Sequence, residues 1–279
     1  MVKIIEKESL NPTVTKMVVE HEKISKKAKA GQFIILRVDE NGERIPLTIA
    51  DTDEMKHTVT IIFQIVGSTT KKLNELNVGD TIYDFVGPLG KPSEIEGLKK
   101  VCVIGGGVGC AIAYPTAKAL HKNGCEVTTI AGFRNKDLVI LEDDFQQVSD
   151  RFIMMSDDGS VGEKGLVTDA LRKLLEKETF DEVIAIGPLI MMKFVCQLTK
   201  EFNVKTVVSM NPIMIDGTGM CGGCRLSVGG KMKFACVDGP DFDGHEVDFD
   251  EAMVRNMSYR DFEHHAYEKT CNLLNQEVK

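Results

Sequence analysis

Short apolar strands alternate with helix-like segments between residues 99 and 209, and this alternation constrains the fold more than any other feature of the sequence. The predicted strands cover residues 100–104, 126–131, 151–155, 182–186 and 205–209, and the predicted helices cover residues 111–123, 141–148, 167–178 and 189–201. Such alternation is typical of a doubly wound parallel sheet, because each helix carries the chain back to the start of the next strand. We therefore predict an α/β domain over residues 98–210.

The first part of the chain, residues 1–97, has a different pattern. β-branched runs recur at residues 13–19, 32–38, 58–65 and 81–86, and glycine-containing turn signals separate them. Short runs with such turns favour antiparallel strands that close into a small barrel. The predicted fold class is therefore an antiparallel β-barrel followed by a doubly wound α/β domain.

Composition excludes several classes of function. Hydrophobic residues make up 43% of the 279 residues and charged residues 27%, as in an ordinary soluble protein. The net charge of −8 disfavours nucleic acid as a partner, because nucleic-acid binding depends on lysine and arginine side chains that neutralise phosphates. The sequence has no apolar run of about 18 residues and no recognisable signal peptide, so we expect a cytoplasmic protein without a membrane span.

Three of the eight cysteines lie together in a glycine-rich stretch that begins at Asp216. The stretch reads Asp-Gly-Thr-Gly-Met-Cys-Gly-Gly-Cys, and a further cysteine follows it. With aspartate in the first place, the spacing is that of a plant-type ferredoxin [2Fe–2S] site, and the glycines allow the backbone to approach the cluster closely. We predict a cluster-binding segment over residues 211–248, with these iron ligands: Asp216, Cys221, Cys224 and Cys236.

Other interpretations of the cysteines stay open at this stage. A structural zinc ion could use the three clustered cysteines, with His245 or Asp216 as the fourth ligand. A redox Cys-x-x-Cys pair is less satisfactory, because it would leave Cys236 without a role. The remaining cysteines are scattered singly and are expected to be small core residues: Cys102, Cys110, Cys125, Cys196 and Cys271.

Two features of the α/β domain predict a dinucleotide site. Between the first predicted strand and helix, a pyrophosphate can approach the backbone of a glycine-rich turn that contains Gly105, Gly106, Gly107 and Gly109. Asp157 and Asp158 follow a later strand, where carboxylates would suit the diol of a ribose and repel a 2′-phosphate, which favours NADH over NADPH. A tight turn without a nucleotide and a pair of solvated acids are the respective alternatives.

Two motifs in the barrel suggest a flavin. The stretch Arg-Ile-Pro-Leu-Thr-Ile lies between predicted strands; its arginine can pair with a phosphate, and its threonine hydroxyl can reach a flavin. The candidates in this stretch are Arg44, Pro46, Leu47, Thr48 and Ile49. A second candidate, an anion site at the start of a predicted helix, comprises Gly67, Ser68, Thr69 and Thr70. A surface arginine and an ordinary helix cap are the simpler alternatives.

Barrel, nucleotide domain and cysteine cluster, in this order, resemble the ferredoxin–NADP reductase superfamily along essentially the whole chain. Within it, the chain looks like the small electron-transfer subunits of dihydroorotate dehydrogenase and of NADH-dependent reduced ferredoxin:NADP oxidoreductase. Residues 44–49 look like the flavin motif of these subunits and residues 66–70 like their flavin phosphate loop, while residues 105–109 and Gly187-Pro188 resemble their NAD(P)-binding elements. The dihydroorotate dehydrogenase subunits normally carry four cysteines, so Asp216 favours the second group.

The resemblance implies FAD, a [2Fe–2S] cluster and NAD(H) as cofactors. It also implies a larger partner subunit with another flavin and [4Fe–4S] clusters, through which ferredoxin would be reached, and flavin-based electron bifurcation. Hydride would be exchanged between NAD(H) and the flavin, and single electrons with the cluster; no catalytic side chain is predicted, since the cofactors carry this chemistry. Two alternatives stay open: a dihydroorotate dehydrogenase electron-transfer subunit, and a non-catalytic, zinc-bearing nucleotide-binding module.

The last segment, residues 249–279, is predicted to be helical as far as residue 275, and it carries Tyr259, His264 and His265. We expect this helix to cap the barrel of its own chain. A docking surface for a partner subunit is the alternative.

Overall fold

The structure is a computed structural model that describes residues 1–263 and residue 265. Its first sheet is antiparallel and contains β1 (Val2–Asn11), β2 (Val14–Glu20), β3 (Phe33–Arg37), β4 (Arg44–Asp53), β5 (Thr58–Gln64), β6 (Thr81–Ile82) and β7 (Asp84–Leu89). The strand order is β6-β1-β2-β5-β4-β3-β7. The outermost strands, β6 and β7, are joined through Tyr83 alone, so the sheet forms the nearly closed barrel that the sequence predicts. Two short helices accompany it, α1 (Glu22–Lys27) and α2 (Ser68–Glu75).

Strand β4 corrects one interpretation, because residues 44–49 lie within a strand and not between strands. Pro46 makes this strand difficult to predict from the sequence, because proline lacks the N–H group that a central strand needs. The structure accommodates it because the pairing of β4 with β5 begins only at Ile49, so that the first half of β4 pairs with β3 alone. The motif is therefore held rigidly on the barrel wall.

The second sheet contains β8 (Lys100–Gly106), β9 (Glu126–Phe133), β10 (Arg151–Ser156), β11 (Glu163–Lys164), β12 (Glu182–Ile186) and β13 (Thr206–Ser209). A separate hairpin, β14 (Arg225–Val228) and β15 (Lys231–Phe234), follows it, and then β16 (Asp241–Asp243) returns to the sheet. The order is β11-β10-β9-β8-β12-β13-β16, with every neighbouring pair parallel except β13 and β16. The predicted doubly wound sheet is confirmed. The segment predicted to bind the cluster contributes its edge strand, so this sheet does not end at residue 210.

Helices cover both faces of this sheet and bury apolar stripes against it. They are α3 (Gly109–Lys122), α4 (Glu142–Gln147), α5 (Val167–Leu175) and α6 (Leu189–Glu201), and two further helices follow in the chain, α7 (Ala235–Asp238) and α8 (Phe249–Asn256). Burial raises the pKa of the Cys110 thiol to about 12, as expected of a core cysteine. Cys102, Cys125 and Cys196 are also buried, as predicted, whereas Cys271 lies outside the described residues.

Helix α8 packs on the α/β domain, which corrects the expectation that the C-terminal segment caps the barrel. It contacts α6 and β14, and Lys193 of α6 lies 2.7 Å from the Asp250 carboxylate. The helix ends at Asn256, well before residue 275, and a further helical turn covers residues 260–263. Tyr259 is exposed; His264 and the rest of the predicted helix beyond residue 265 fall outside the described residues. Within the described part of the chain, no helix is long and apolar enough to cross a bilayer.

Candidate functional site

Three of the predicted iron ligands lie on the loop before the β14–β15 hairpin, and Cys236 lies in α7 after it. Cys224 and Cys236 are buried, and the backbone N–H group of Cys236 donates to the Cys224 sulfur at 3.5 Å. Cys221 is exposed, and its sulfur accepts a hydrogen bond from the backbone of Asp216. Three thiols and one carboxylate supply the four protein ligands that a two-iron cluster requires.

Backbone N–H groups of the ligand loop point at its sulfurs. The N–H group of Gly223, followed by those of Asp216 and Ile215, lowers the pKa of the Cys221 thiol below its ordinary value. Burial raises the pKa of Cys236 to about 12, although the N–H group of Gly219 opposes this shift. N–H donors to sulfur are one of the means by which a protein sets the reduction potential of an iron–sulfur cluster.

The Asp216 carboxylate is held by its own loop. Its Oδ2 atom accepts from the Thr218 hydroxyl, from the Thr218 N–H group at 3.0 Å and from the Met220 N–H group at 3.3 Å. The Thr218 hydroxyl is the largest of the influences that hold the pKa of Asp216 below its ordinary value, so the group is ionised near neutral pH. All three donors reach Oδ2, so Oδ1 is the oxygen best suited to bind iron.

His245, the alternative fourth ligand of a zinc site, belongs to a different contact. Its Nε2 atom lies 3.0 Å from the Thr199 hydroxyl of α6. In the part of the chain that the structure describes, no three Cys, His, Asp or Glu side chains are grouped as they would be around one metal ion.

Gly217 seats the ligand loop directly on the barrel. Its φ angle is +83°, a conformation that favours glycine. A Cβ atom at this position would lie 2.7 Å from Ile35 Cδ1 and 2.8 Å from Leu89 Cδ1, so any side chain here would force these methyl groups to move. Ile35 belongs to β3 and Leu89 to β7, so the loop rests on the barrel wall next to β4.

The flavin candidates on β4 differ in their burial and in their contacts. Thr48 is partly buried and lies opposite Phe33 of β3. Pro46 and Leu47 are also partly buried, and Ile49 is a core residue. Arg44 is the exception, because its Nε–H group donates to the backbone oxygen of Ile215 at 2.8 Å. The arginine expected to meet a flavin phosphate therefore contacts the ligand loop.

The candidates at the start of α2 are partly engaged within the protein. The Thr70 hydroxyl accepts from the N–H groups of Val66 and Gly67, both at 3.0 Å, and closes the helix end. The Thr69 hydroxyl donates to the Glu43 carboxylate at 3.0 Å. A Cβ atom at Gly67 would meet nothing within 4 Å, so a ligand can approach the helix start there. Ser68 occupies the first turn of α2.

A cavity of about 970 Å³ lies at the carboxyl ends of the parallel strands. Ligands of doubly wound sheets bind at this edge, where the strand order reverses. The structure brings six of the predicted nucleotide-binding residues into the lining of the cavity: Gly106, Gly107, Gly109, Asp157, Gly187 and Pro188.

Two predicted nucleotide-binding residues are not part of this lining. Gly105 lies within β8, where a Cβ atom would come 2.7 Å from the Cys110 sulfur, so it allows α3 to pack on the strand. The Asp158 carboxylate accepts from the Ser160 N–H group at 2.9 Å, and bonds from Ser160 lower the pKa of Asp158. Asp157 is therefore the carboxylate of this loop that faces the cavity.

Sequence analysis missed several other lining residues. Asn11 and Gln64, at the ends of β1 and β5, close the barrel side of the cavity, and nothing in the sequence marks them. Ile190 and Phe194 line it from α6, and about half of each side chain is exposed. Two apolar residues four apart, on a helix that already has a buried stripe, are the signal that could have identified this wall.

The barrel, the doubly wound sheet and the cavity between them define the fold of a ferredoxin reductase-like flavoprotein. The cytochrome b5 reductase domain of Ulva prolifera nitrate reductase has this fold, with a TM-score of 0.59 and 18% identity over 72% of this chain and 92% of that one. Residues 211–248 match the model of the iron–sulfur cluster binding domain of dihydroorotate dehydrogenase B.

Whole-chain relatives identify the family. The dihydroorotate dehydrogenase B (NAD(+)) electron transfer subunit homolog of Thermotoga maritima is 49% identical over 266 residues, or 95% of this chain and 94% of the relative. The electron transfer subunit of Streptococcus pneumoniae R6 is 34% identical over 86% of this chain and 94% of its own. The chain belongs to the family of dihydroorotate dehydrogenase B electron transfer subunits.

A solved structure of NADH-dependent reduced ferredoxin-NADP oxidoreductase, described in connection with flavin-based electron bifurcation, is similar to this chain over almost its entire length. The TM-score is 0.92 and the identity 48%, over 96% of this chain and 97% of that one. These similarities confirm the predicted fold, the predicted family and the iron–sulfur segment. The chain is an electron-transfer oxidoreductase subunit, and a subunit implies at least one partner chain.

Proposed function

We propose that this chain is the NADH-oxidising small subunit of an electron-bifurcating, NADH-dependent ferredoxin:NADP oxidoreductase. In this proposal residues 1–97 bind FAD, residues 98–210 bind NAD(H) and residues 211–248 bind a [2Fe–2S] cluster. The observation that carries the proposal is the position of the ligand loop, which rests through Gly217 on the barrel wall next to the strand with the flavin motif. Electron carriers bound at these places would be near neighbours.

The residues of the chain bind and orient the cofactors. Residues 44–49 and 67–70 of the barrel would hold FAD, which would supply hydride exchange with NAD(H) and single-electron exchange with the cluster. Gly107 and Gly109 open the helix N-terminus of α3 to a pyrophosphate. Gly109 also lets α3 approach β12, because a Cβ atom there would lie 2.4 Å from the Ile186 oxygen. Asp157 would bind the ribose hydroxyls of NADH, and its charge would repel a 2′-phosphate.

Asp216, Cys221, Cys224 and Cys236 are the proposed iron ligands. The contact between Cys224 and Cys236 supports this assignment, as does the ionised carboxylate of Asp216, whose loop donors all reach Oδ2. A carboxylate ligand favours the subunit of a bifurcating ferredoxin:NADP oxidoreductase, because dihydroorotate dehydrogenase subunits normally have a fourth cysteine at this position.

The larger partner subunit, with another flavin and [4Fe–4S] clusters, would dock beside the cluster segment. This segment exposes large apolar side chains: Ile215 is 52% exposed, Met232 is 65% exposed and Met220 is 88% exposed. Exposed apolar side chains, methionine among them, are common in protein interaction sites. Met220, directly before Cys221 in the chain, would place the partner next to the cluster.

A dihydroorotate dehydrogenase electron-transfer subunit is the second candidate, favoured by the family model that matches residues 211–248. The identity of the partner chain distinguishes the two candidate functions. Tagged chain purified without oxygen from its own cells would bring down a larger flavin and [4Fe–4S] protein in the first case. In the second case it would bring down a dihydroorotate-oxidising flavoprotein.

The decisive test of the cofactors uses the full chain purified without oxygen. Its visible and EPR spectra, metal content and heat-released flavin are measured, and NADH is then added. We expect two irons and one FAD per chain, a [2Fe–2S] EPR signal on reduction, and bleaching of the flavin by NADH. Zinc in place of iron, together with absence of FAD, would overturn the proposal.

A further inference from the structure

Arg44 connects two parts of the chain that are far apart in sequence. Its Nε–H group donates to the backbone oxygen of Ile215 at 2.8 Å, across 171 positions of the chain. Ile215 directly precedes Asp216, the first proposed iron ligand. A hydrogen bond from a guanidinium to a carbonyl is charge-assisted and directional, so it constrains where the ligand loop begins.

A second contact, at Gly217, holds the ligand loop on the same part of the barrel wall. Ile35, against which Gly217 packs, lies opposite Pro46 in the register of β3 and β4, two residues from Arg44. The loop is therefore fixed on both sides of Asp216, by a hydrogen bond at Ile215 and by close packing at Gly217. Both anchors belong to the barrel wall that carries the flavin motif.

Arg44 also supplies charge. Its guanidinium is hydrogen-bonded to the residue directly before Asp216, so its positive charge lies beside the ligand loop. Arg44 is partly exposed, and its neighbour Glu43 is bound to Thr69 on α2. The arginine is thus a cation beside the proposed cluster ligands, and the residue before it contacts the proposed flavin phosphate loop.

We propose that Arg44 is a positioning residue for the cluster: it fixes the start of the ligand loop, at Ile215, to β4, and its positive charge favours the reduced, more negative form of the cluster. This inference rests on the proposed function and departs from the sequence-based role of Arg44 as a ligand of a flavin phosphate. A cation near a redox centre stabilises the state with the additional electron, so its removal should make the reduction potential more negative.

The test uses Arg44→Gln and Arg44→Lys in the full chain, with Arg37→Gln as the matched control. Arg37 is another barrel arginine, but its partner is Asp84, at 2.7 Å. EPR-monitored titration gives the cluster potential, hydrogen exchange reports residues 215–221, and released flavin is counted. For Arg44→Gln we expect a more negative potential and roughly tenfold faster exchange in the loop, as for loss of one hydrogen bond to a charged group, with FAD retained.

Arg44→Lys separates the two contributions, because it retains the charge but not the planar Nε–H donor. We expect its potential to return toward that of the unmodified protein while exchange in the loop stays fast, and we expect Arg37→Gln to change neither. Unchanged potential and exchange in Arg44→Gln would overturn the inference, as would loss of FAD with an unaltered cluster. If Arg44→Gln loses its cluster, fast exchange in Arg44→Lys supports the inference and normal exchange overturns it. Failure of the proposed function would appear instead in the unmodified protein, as absence of iron and flavin.

Discussion

Lys118 of α3 and Asp51 of β4 form an ion pair that joins the two domains, with Lys118 Nζ 2.7 Å from one carboxylate oxygen and 2.9 Å from the other. Next to the pair, Ala50 of β4 packs into the core that α3 forms with the sheet. Strand β4 therefore contacts the nucleotide domain through Asp51 and the ligand loop through Arg44. Glu43, directly before the strand, reaches α2. Strand β4 and the residue before it thus contact the elements that carry all three proposed cofactor sites.

The ion pair predicts an effect on reaction rate rather than on stability. Both side chains are 43% exposed, so the pair should contribute less than about 1 kcal/mol to the free energy of unfolding. Asp51→Lys or Lys118→Asp alone places like charges between the domains, and we expect flavin reduction by NADH to slow several-fold in stopped-flow measurements. The double reversal should restore the rate. Single variants that react at the original rate would contradict this role.

Asp157 is predicted to select the nucleotide. Asp157→Ser removes the charge that would repel a 2′-phosphate, so we expect the ratio of kcat/KM for NADPH to that for NADH to rise roughly tenfold. Asp158→Ser is the matched control, because the Asp158 carboxylate is bound to Ser160 outside the cavity lining. Equal changes in both variants would argue that the loop, and not the Asp157 charge, matters.

Asp216→Cys should retain the cluster and shift its reduction potential, because thiolate replaces carboxylate at one iron. EPR-monitored titration measures the shift, and Asp243→Cys, at an exposed acid elsewhere in the same segment, controls for the added thiol. A potential and spectrum identical to those of the unmodified protein would mean that Asp216 does not bind iron.

Gly217→Ala should release the ligand loop from the barrel. The new methyl group would clash with Ile35 and Leu89, so we expect loss of bound iron in addition to a destabilisation of about 1–2 kcal/mol from the left-handed backbone. Gly79→Ala is the control, since Gly79 has a φ angle of +99° but open space around its Cβ position. The control should be destabilised to a similar extent and keep its iron. Retained iron in Gly217→Ala would contradict the close contact.

Asp241 predicts a pH dependence of stability. Its Oδ2 atom accepts from the Ser93 hydroxyl at 2.6 Å, whereas Oδ1 is buried without a partner among the described residues. Burial raises the pKa of Asp241 above its ordinary value. The folded state therefore binds the proton more tightly than the unfolded chain, so the free energy of unfolding falls as pH rises from about 4 through the raised pKa.

Asp241→Asn should remove this contribution, because the amide carries no charge at any pH. We expect the variant to be more stable than the original protein at pH 7 and to lose the difference near pH 4, as measured by urea unfolding across this range. Asp243→Asn, at the exposed end of the same strand, should leave the pH profile unchanged. A constant difference between Asp241→Asn and the original protein at all pH values would contradict the assigned cause.

The sequence alone determined the features that depend on local pattern. β-branched runs predicted the barrel, although not its strands β1 and β4, and alternating apolar runs predicted the doubly wound sheet, because the periods of strands and helices are intrinsic to the backbone. Helix α6 begins and ends at the predicted residues, Leu189 and Glu201. The spacing from Asp216 to Cys224 predicted the cluster segment, because ligands of one cluster on one loop must be close in sequence.

Only the tertiary structure decided the relationships between distant residues. Because of Pro46, the sequence did not predict β4, and only the pairing of this strand with β3 shows how the proline is accommodated. The partners of Arg44 and His245, and the difference between Asp157 and Asp158, depend on which elements pack together, and local sequence does not encode such long-range contacts. The docking of α8 on α6, instead of on the barrel, follows from the same cause: an apolar stripe specifies that a helix is buried, but not the surface that buries it.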